Sequence, residues 1–482
     1  MHEVGLNHGG FESHAHEERK RAAASPALRV LFIADSLYWV TATIAREISR
    51  QNPWIEPTIC SHGVVRSLLN RDVKLAQRVD LVHFLTPHIA TILAPRFRDV
   101  PCVTTIHHVE DERSIEPEPQ SDAVMTVCRQ WHDDLVRRGV EPEKLVMIPN
   151  GIDTQQFRPS QGSEQERLRT RFGIPTGAIS VGFSAKKSSD THNRKGTDTL
   201  VRAVVELCRM RSDLVIVMIG PGWGEVVEQQ AHQGVKCISL PFLVEREDVA
   251  QVHRCLDVFW VTSRIEGGPV PLLEAMSSGT CCVTTPVGVV PDLVQDGENA
   301  FLAAFDASEE FAQLTTRLAA DVALRKRMGA AARATILKDY QWSKTTENAR
   351  LLYQTAIDRF LLRRPGVDPP RIPPDPMRKT RPIGFEALSA IPRSQRTSVA
   401  VEEHLQFMSA LVRMGEGEAA ARIAMRALAR NPLSRATWRQ TRAVLESNQA
   451  YRAATYIPRK ARAVARRLKS LFGRAAPRSL LP

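Results

Sequence analysis

The sequence predicts an α/β protein: two successive domains, each a parallel sheet with helices on both faces, followed by a helical extension at the C-terminus. Three observations carry this expectation. Short apolar segments recur from residue 28 to residue 284 with helical or turn material between them, and continuous apolar runs mark strands buried on both faces. The series is interrupted by the turn cluster Pro149-Asn-Gly-Ile-Asp153 and by Phe157-Arg-Pro159, and then restarts. The stretch from Glu266 to Thr285 joins a Gly-Gly loop, a short helix bounded by Pro271 and Gly279, and the apolar run Thr280-Cys-Cys-Val-Thr-Thr285, which is a loop–helix–strand unit of such a domain.

Residues 1–26 are polar, carry His, Glu and Arg, and lack the apolar core of a signal peptide, so they read as a disordered tail. Their histidines, His2, His8, His14 and His16, are spaced too irregularly to favour a metal site. The first domain, residues 27–150, opens with a strand over Leu28–Ala34 and a helix over Thr41–Ser49. Further strands are expected at Val79–Leu85, Cys102–Ile106, Ala123–Val127 and Lys144–Ile148. The turn after the first strand lacks Gly-x-Gly-x-x-Gly, which weighs against a dehydrogenase.

The second domain, residues 151–360, repeats the rhythm with strands at Ile179–Phe183, Leu214–Ile219, Val235–Leu240, Val258–Thr262 and Cys281–Thr284. Helical patterns run from Ala307 to Phe360, with Asp306 and Ser308 as candidate caps. Ligands of open α/β sheets bind outside the carboxyl ends of the strands, so two facing sheets would form an interdomain cleft.

Residues 361–400 are rich in Pro and Arg and read as a linker. Residues 401–450 show amphipathic helices at Glu402–Met414 and Glu418–Arg430, broken by Gly415-Glu-Gly417, and a third at Ser434–Ser447. They form a hairpin of tetratricopeptide type or a simple helical appendage. Residues 451–482 carry nine basic residues and no acidic one, and read either as a basic amphipathic helix for an anionic membrane surface or as a solubilising tail. Residues 361–482 hold 24 basic and 8 acidic residues, against 41 and 45 in residues 1–360, so the net charge of +12 belongs to the extension. With no folded basic face or aromatic platform beside it, that charge argues against nucleic acid.

The 43% hydrophobic and 24% charged composition is that of a soluble globular protein. The eight cysteines are scattered without a Cys-x-x-Cys pair, as in a reduced cytosolic protein, and no apolar run approaches the roughly 18 residues of a membrane span.

The chemistry centres on Glu266 to Gly279. The first N–H groups of a helix lack internal partners, and the helix dipole adds positive charge there, so an anion suits the site. Glu266 and Glu274 beside it would repel phosphate but accept hydrogen bonds from hydroxyls. Together they suggest a ligand with both groups, a nucleotide sugar. In the plainer alternative they are a loop charge and a helix charge, each worth under about 1 kcal/mol.

Glu266-Gly267-Gly268-Pro269 through Glu274-Ala275-Met276 and Gly279, Thr285-Pro-Val-Gly-Val-Val-Pro291 and Asp296-Gly-Glu-Asn299 resemble the C-terminal signature of retaining glycosyltransferases of family 4. Pro149-Asn-Gly-Ile-Asp153 with Phe157 is similar to that family's interdomain segment, and Thr105-Ile-His107 to its N-domain histidine motif. The resemblance covers roughly residues 28–357. It implies the GT-B fold of two facing Rossmann-like domains, an acceptor on the first, a nucleotide-sugar donor on the second, and metal-independent transfer without a cofactor. By that pattern His107 and Glu266 would contact the donor sugar, Glu274 the ribose, and Lys195 of Asn193-Arg194-Lys195-Gly196 the diphosphate. Gly267, Gly268 and Val270 would offer backbone N–H groups.

The chain departs from this pattern in two places. The family commonly has an arginine after the glycine matching Gly182, and here Phe183 stands there; Lys186, Lys187 or Arg194 is the candidate replacement, with Lys186 preferred for its place beyond the strand end. The glycine-rich loop after the first strand is replaced by Ser36-Leu-Tyr-Trp-Val-Thr41, whose Tyr38 and Trp39 suit either stacking on an acceptor sugar or core packing. His108 leaves the histidine register open by one residue. Glu110-Asp111-Glu112 reads as a solvated or acceptor-facing loop, and Gly220-Pro-Gly-Trp-Gly224 as a loop near the nucleotide.

The expected function is transfer of a sugar from a nucleotide sugar to a saccharide or lipid-linked saccharide in cell-envelope or polysaccharide synthesis, in the cytoplasm or at the inner face of the membrane. The competing expectations are an inactive scaffold of the same fold and a sugar-phosphate synthase.

Overall fold

The computed structural model describes residues 27–373 apart from 38–39, 71, 73, 117, 186–192, 233–235, 242, 244 and 369. The expectations for residues 1–26 and for the extension beyond 373, and those for Tyr38, Trp39, Lys186 and Lys187, lie outside the described residues.

Twelve described strands form two six-stranded parallel sheets, β1 to β6 in the first and β7 to β12 in the second. They are β1 Leu28–Ala34, β2 Ile55–Ser61, β3 Leu81–Phe84, β4 Cys102–Ile106, β5 Ala123–Thr126, β6 Leu145–Met147, β7 Ile179–Ser184, β8 Leu214–Ile219, β9 Cys237–Leu240, β10 Val258–Val261, β11 Cys281–Thr284 and β12 Phe301–Leu302. Ten of them coincide with the apolar segments. The missed β2 contains Glu56 and Pro57 and lies at a sheet edge, where proline is tolerated because one row of N–H groups has no strand to meet. The missed β12 is two residues long.

By compactness the described chain falls into two units, residues 27–42 and 53–80 with 373 in one, and Thr43–Asn52 with Leu81–Ile372 in the other. In the first unit β1 and β2 pair in parallel from Leu28↔Ile55 to Ala34↔Ser61. The helix His62–Leu69 follows, and a forked pair joins Arg29 to Asp80 at 2.7 and 3.0 Å.

The second unit carries the order β3-β4-β5-β6 and the whole sheet β12-β11-β10-β7-β8-β9. Its central strands are buried on both faces: on β8, Val215, Val217 and Ile219 enter one apolar cluster, while Leu214, Ile216 and Met218 enter another. The first cluster also holds Ile106, Val124 and Leu145 of β4, β5 and β6 together with Phe259, Leu272 and Leu273, so a continuous core joins these three strands to the second sheet. In that sheet the strand order reverses at β7, which lies between β8 and β10. The loops leaving the carboxyl ends of β7 and β10 therefore open at a topological switch point.

The helix Val270–Ser277 begins one residue before Pro271, with Pro269 at its N-cap. It ends ahead of Gly279, whose φ of 73° is left-handed as a helix stop requires. The expected caps at Asp306 and Ser308 are corrected. Ala307 is the N-cap of the helix Ser308–Ala320 and makes no side-chain cap, because Asp306 is drawn away to accept from Arg264 Nε at 2.8 Å and Thr199 Oγ1 at 3.0 Å.

Candidate active site

Residues 193–196, which precede the helix Thr197–Met210, lie against the loop after β10. Thr262 Oγ1 donates to the Lys195 carbonyl at 2.9 Å and the Arg264 N–H to the Arg194 carbonyl at 2.8 Å. Gly196 has a φ of 59°, and a Cβ there would run into the Thr262 carbonyl, so glycine permits both the turn and the approach. This contact delivers the Lys195 ammonium to the Glu266 carboxylate, which also accepts from Ser263 Oγ at 3.1 Å and stands 3.7 Å from Arg194 Nη1. Glu266 is buried. Burial alone would push its carboxyl up, but the charges of Lys195 and Arg194, helped by the Lys195 hydrogen bond, hold it below the ordinary carboxylate value.

The two glycines after Glu266 are needed for close packing. A Cβ at Gly267 would strike the His107 carbonyl, and one at Gly268 would lie 2.7 Å from Asn150 Nδ2, which donates to the Gly268 carbonyl at 3.0 Å. Gly288, at φ 61°, lies against the Gly267 carbonyl, which accepts from the Val289 N–H at 2.7 Å. The N–H groups of Gly267, Gly268 and Val270 find no acceptor among the described residues. Donors at the start of a helix in this state suit an anion.

The two histidines after β4 are held differently. His107 Nε2 meets the Leu85 carbonyl at 3.0 Å, which places its proton on Nε2. His108 Nε2 lies 2.9 Å from Glu110 Oε1, and the same oxygen is 3.0 Å from Arg194 Nε. Burial and then Arg194 lower the His108 pKa, while Glu266 and Glu110 oppose them. His108 therefore faces the Glu266 group electrostatically, whereas His107 presents its backbone carbonyl to Gly267. Sequence reasoning left this register open and passed over Glu110 as a member of the cluster. It also missed His83, a fully buried residue 2.8 Å from Thr105 Oγ1 and 3.1 Å from the Tyr353 hydroxyl, whose pKa burial and His107 push down to about 3.

Glu274 heads a second cluster. Its carboxylate is buried, 2.6 Å from Arg246 Nη2 and 3.1 Å from His253 Nε2, and the Arg246 guanidinium sits 4.8 Å over the Phe157 ring. Burial would raise this carboxyl too, and Arg246 and His253 bring it below the usual range. No sequence motif flagged Arg246 or His253. Phe183, where the family pattern has arginine, is buried edge-on against Trp223 at 5.4 Å, and Trp223 Nε1 donates to the Ala185 carbonyl at 2.8 Å. Phe183 and Trp223 thus pack together at the ends of β7 and β8. Among the described residues no group of three or more His, Cys, Asp and Glu could hold a metal ion, and no helix is long and apolar enough to cross a membrane.

Comparison with known proteins gives the family and the fold. Residues 181–321 match the family model described as Glycosyl transferases group 1, and residues 8–156 the one described as Glycosyltransferase Family 4, together more than half of the chain. A D-inositol 3-phosphate glycosyltransferase of Streptomyces bingchenggensis is 25% identical over 312 residues, 58% of this chain and 67% of that protein. An alpha-maltose-1-phosphate synthase of Mycolicibacterium smegmatis is 24% identical over 340 residues, 62% of this chain and 86% of that protein. The crystal structure of Anabaena HepE in complex with UDP-glucose superposes with a TM-score of 0.57 at 18% identity, covering 68% of this chain and 100% of HepE, a likeness of fold. The chain belongs to the group 1 and family 4 glycosyltransferases and has the GT-B fold.

Proposed function

We propose that the protein transfers a hexosyl group from a nucleoside diphosphate sugar, with retention of anomeric configuration and without a metal or cofactor, to a saccharide or lipid-linked saccharide. The observation that carries this reading is the Lys195–Glu266 pair on the loops after β7 and β10, at the strand-order reversal, beside the N–H groups that begin the helix Val270–Ser277. In this reading the departing diphosphate meets Lys195 and those N–H groups, which are in place before charge develops and so favour the transition state over the ground state. Glu266, kept ionised by Lys195 and Arg194, accepts hydroxyls of the transferred sugar. His107, with its proton on Nε2, and His108, tied through Glu110 to Arg194, line the approach from the first sheet. Of the candidates for the second diphosphate cation, Arg194 has support from its position 3.7 Å from Glu266.

The acceptor has a second reading. Two relatives are named for phosphorylated small molecules, inositol 3-phosphate and maltose 1-phosphate, which favours a sugar-phosphate acceptor and a soluble product. Work at the inner face of the membrane belongs to the first reading.

A panel of nucleoside diphosphate sugars, UDP-glucose first, incubated with lipid-linked saccharides, free saccharides, inositol 3-phosphate and glucose 1-phosphate separates the two. Product analysis by NMR is expected to give a glycoside of the donor's own anomeric configuration, abolished in Glu266→Ala. Binding of nucleotide sugar with neither transfer nor hydrolysis would make the chain a scaffold.

A further inference from the structure

Glu110 Oε1 receives two donors from different parts of the fold. His108 Nε2 reaches it at 2.9 Å from the segment after β4, and Arg194 Nε at 3.0 Å from the segment before the helix Thr197–Met210. Arg194 Nη1 in turn stands 3.7 Å from Glu266 Oε2, and Lys195 holds Oε1 of the same carboxylate. Two cations thus face two carboxylates, and with His108 neutral the group carries no net charge. Its side chains are largely withdrawn from solvent, from 9% exposed at Glu266 to 37% at Glu110, so charges within it are weakly screened. A nucleoside diphosphate sugar brings two phosphates, each with one negative charge. That imbalance falls on the member of the group whose charge changes near neutral pH, the His108 imidazole.

The charged groups that face His108 set the direction of the response. Arg194 disfavours the imidazolium, whereas Glu266 and Glu110 favour it. An anion that neutralises Arg194 removes the opposing charge, leaves the two carboxylates and adds its own pull to theirs. Nε2 already faces the Glu110 carboxylate and keeps the first proton, so a second one enters from solvent at Nδ1.

We propose that His108 is the charge-compensating residue of the donor site: it takes up a proton when the donor's diphosphate binds, so that donor and proton bind together. The proposal rests on the nucleotide-sugar reading above. By linkage the donor then binds more tightly as the pH falls through the neutral range.

The test is calorimetry of the full chain with UDP-glucose, ADP-glucose and GDP-mannose at about pH 6.5, the ordinary histidine value, in PIPES and in imidazole buffer, whose ionisation enthalpies differ. Sugar-linked diphosphates are the probes because a free nucleoside diphosphate ends in a phosphate that itself titrates near about 6. For a donor that binds, the heats in the two buffers should differ in the sense of net proton uptake, and affinity should tighten roughly three- to fivefold from about pH 7.5 to about pH 6. His108→Gln should abolish both effects, with thermal unfolding as its fold control. Donor binding without proton uptake, or uptake that persists in the folded His108→Gln protein, would overturn the role of His108 while leaving the nucleotide site standing. If that variant does not fold, the wild-type His108 imidazole NMR midpoint decides: it should rise when donor is saturating, and a midpoint that donor leaves unmoved overturns the proposal. Binding of none of the three donors by wild type would instead overturn the nucleotide reading, and this proposal with it.

Discussion

Trp131 Nε1 donates a 2.6 Å hydrogen bond to the backbone carbonyl of Glu266, 135 residues away in sequence. The helix Arg129–Arg137 that carries this tryptophan follows β5, and its neighbouring residues repeat the contact: Gln130 Oε1 accepts from the Gly288 N–H at 2.7 Å and Arg129 meets Asp292 at 3.2 Å. The glutamate loop is therefore fixed from the side of the first sheet as well as by its own domain.

Trp131→Phe keeps an aromatic ring but removes the N–H and part of the buried indole, leaving the carbonyl without that donor and a small cavity beside it. The expected loss is about 2–3 kcal/mol in urea unfolding. Turnover should fall by more than the small change in folded fraction explains, because the Glu266 backbone loses its outer restraint.

Glu266→Gln removes the charge that Lys195 and Arg194 surround. Breaking one side of a buried pair costs about 3 kcal/mol at neutral pH. The folded-state carboxyl lies below its ordinary 4.5, so ionised Glu266 contributes stability in full above that value and loses it as the pH falls through the depressed folded value. Urea midpoints of wild type and variant should differ at pH 7 and converge as the medium is acidified below 4.5. A gap that stays constant with pH would show that the charge is not the cause.

Gly267→Ala places a methyl against the His107 carbonyl and 2.6 Å from Val127 Cγ2, and a backbone oxygen cannot swing away as a flexible side chain can. A cost of about 3 kcal/mol is expected, at the upper end for overpacking, with loss of activity. Gly63→Ala is the control: its methyl meets nothing within 4 Å and lies within the helix His62–Leu69, so stability should hold or rise by about 0.5 kcal/mol. Thermal unfolding of the two variants compares them directly.

His108 should titrate below the ordinary histidine value of 6.5, since burial and Arg194 lower it against the pull of Glu266 and Glu110. Its imidazole NMR signals should shift in that range, and Arg194→Ala should move the midpoint up while Glu110→Gln moves it down. Because the folded value is depressed, neutral His108 leaves stability intact above 6.5, and acidification through the folded value erodes it.

Arg363 closes the described C-terminal helix onto the first sheet by gripping the buried Asp122 carboxylate at 2.6 and 2.9 Å, and Asp122 in turn accepts from the Cys102 N–H at 2.8 Å. Arg363→Ala should cost about 2 kcal/mol, less than a wholly buried pair because the guanidinium is partly solvated. Arg363→Lys should recover only part of it, since an ammonium cannot bridge both oxygens. Denaturant unfolding reads both.

The sequence by itself determined the two-sheet α/β plan, ten of the twelve strands, and the motif order that led to the family. These are written in local apolar runs, turn residues and glycine spacing, each of which acts over a few residues. It also marked Lys195 and Glu266, which the fold brings into one pair across 71 residues. Tertiary structure alone decided the rest. Which of His107 and His108 faces the cluster depends on how the chain leaves β4, and a shift of one residue reverses the direction of a side chain. His253 reached Glu274 across 21 residues by the packing of successive helices, and Trp131 reached the Glu266 carbonyl across 135 residues, and nothing in a local pattern records such a partner. Phe183 shows the same limit from the other side: its place in the motif suggested a missing charge, and its burial against Trp223 was settled by the core.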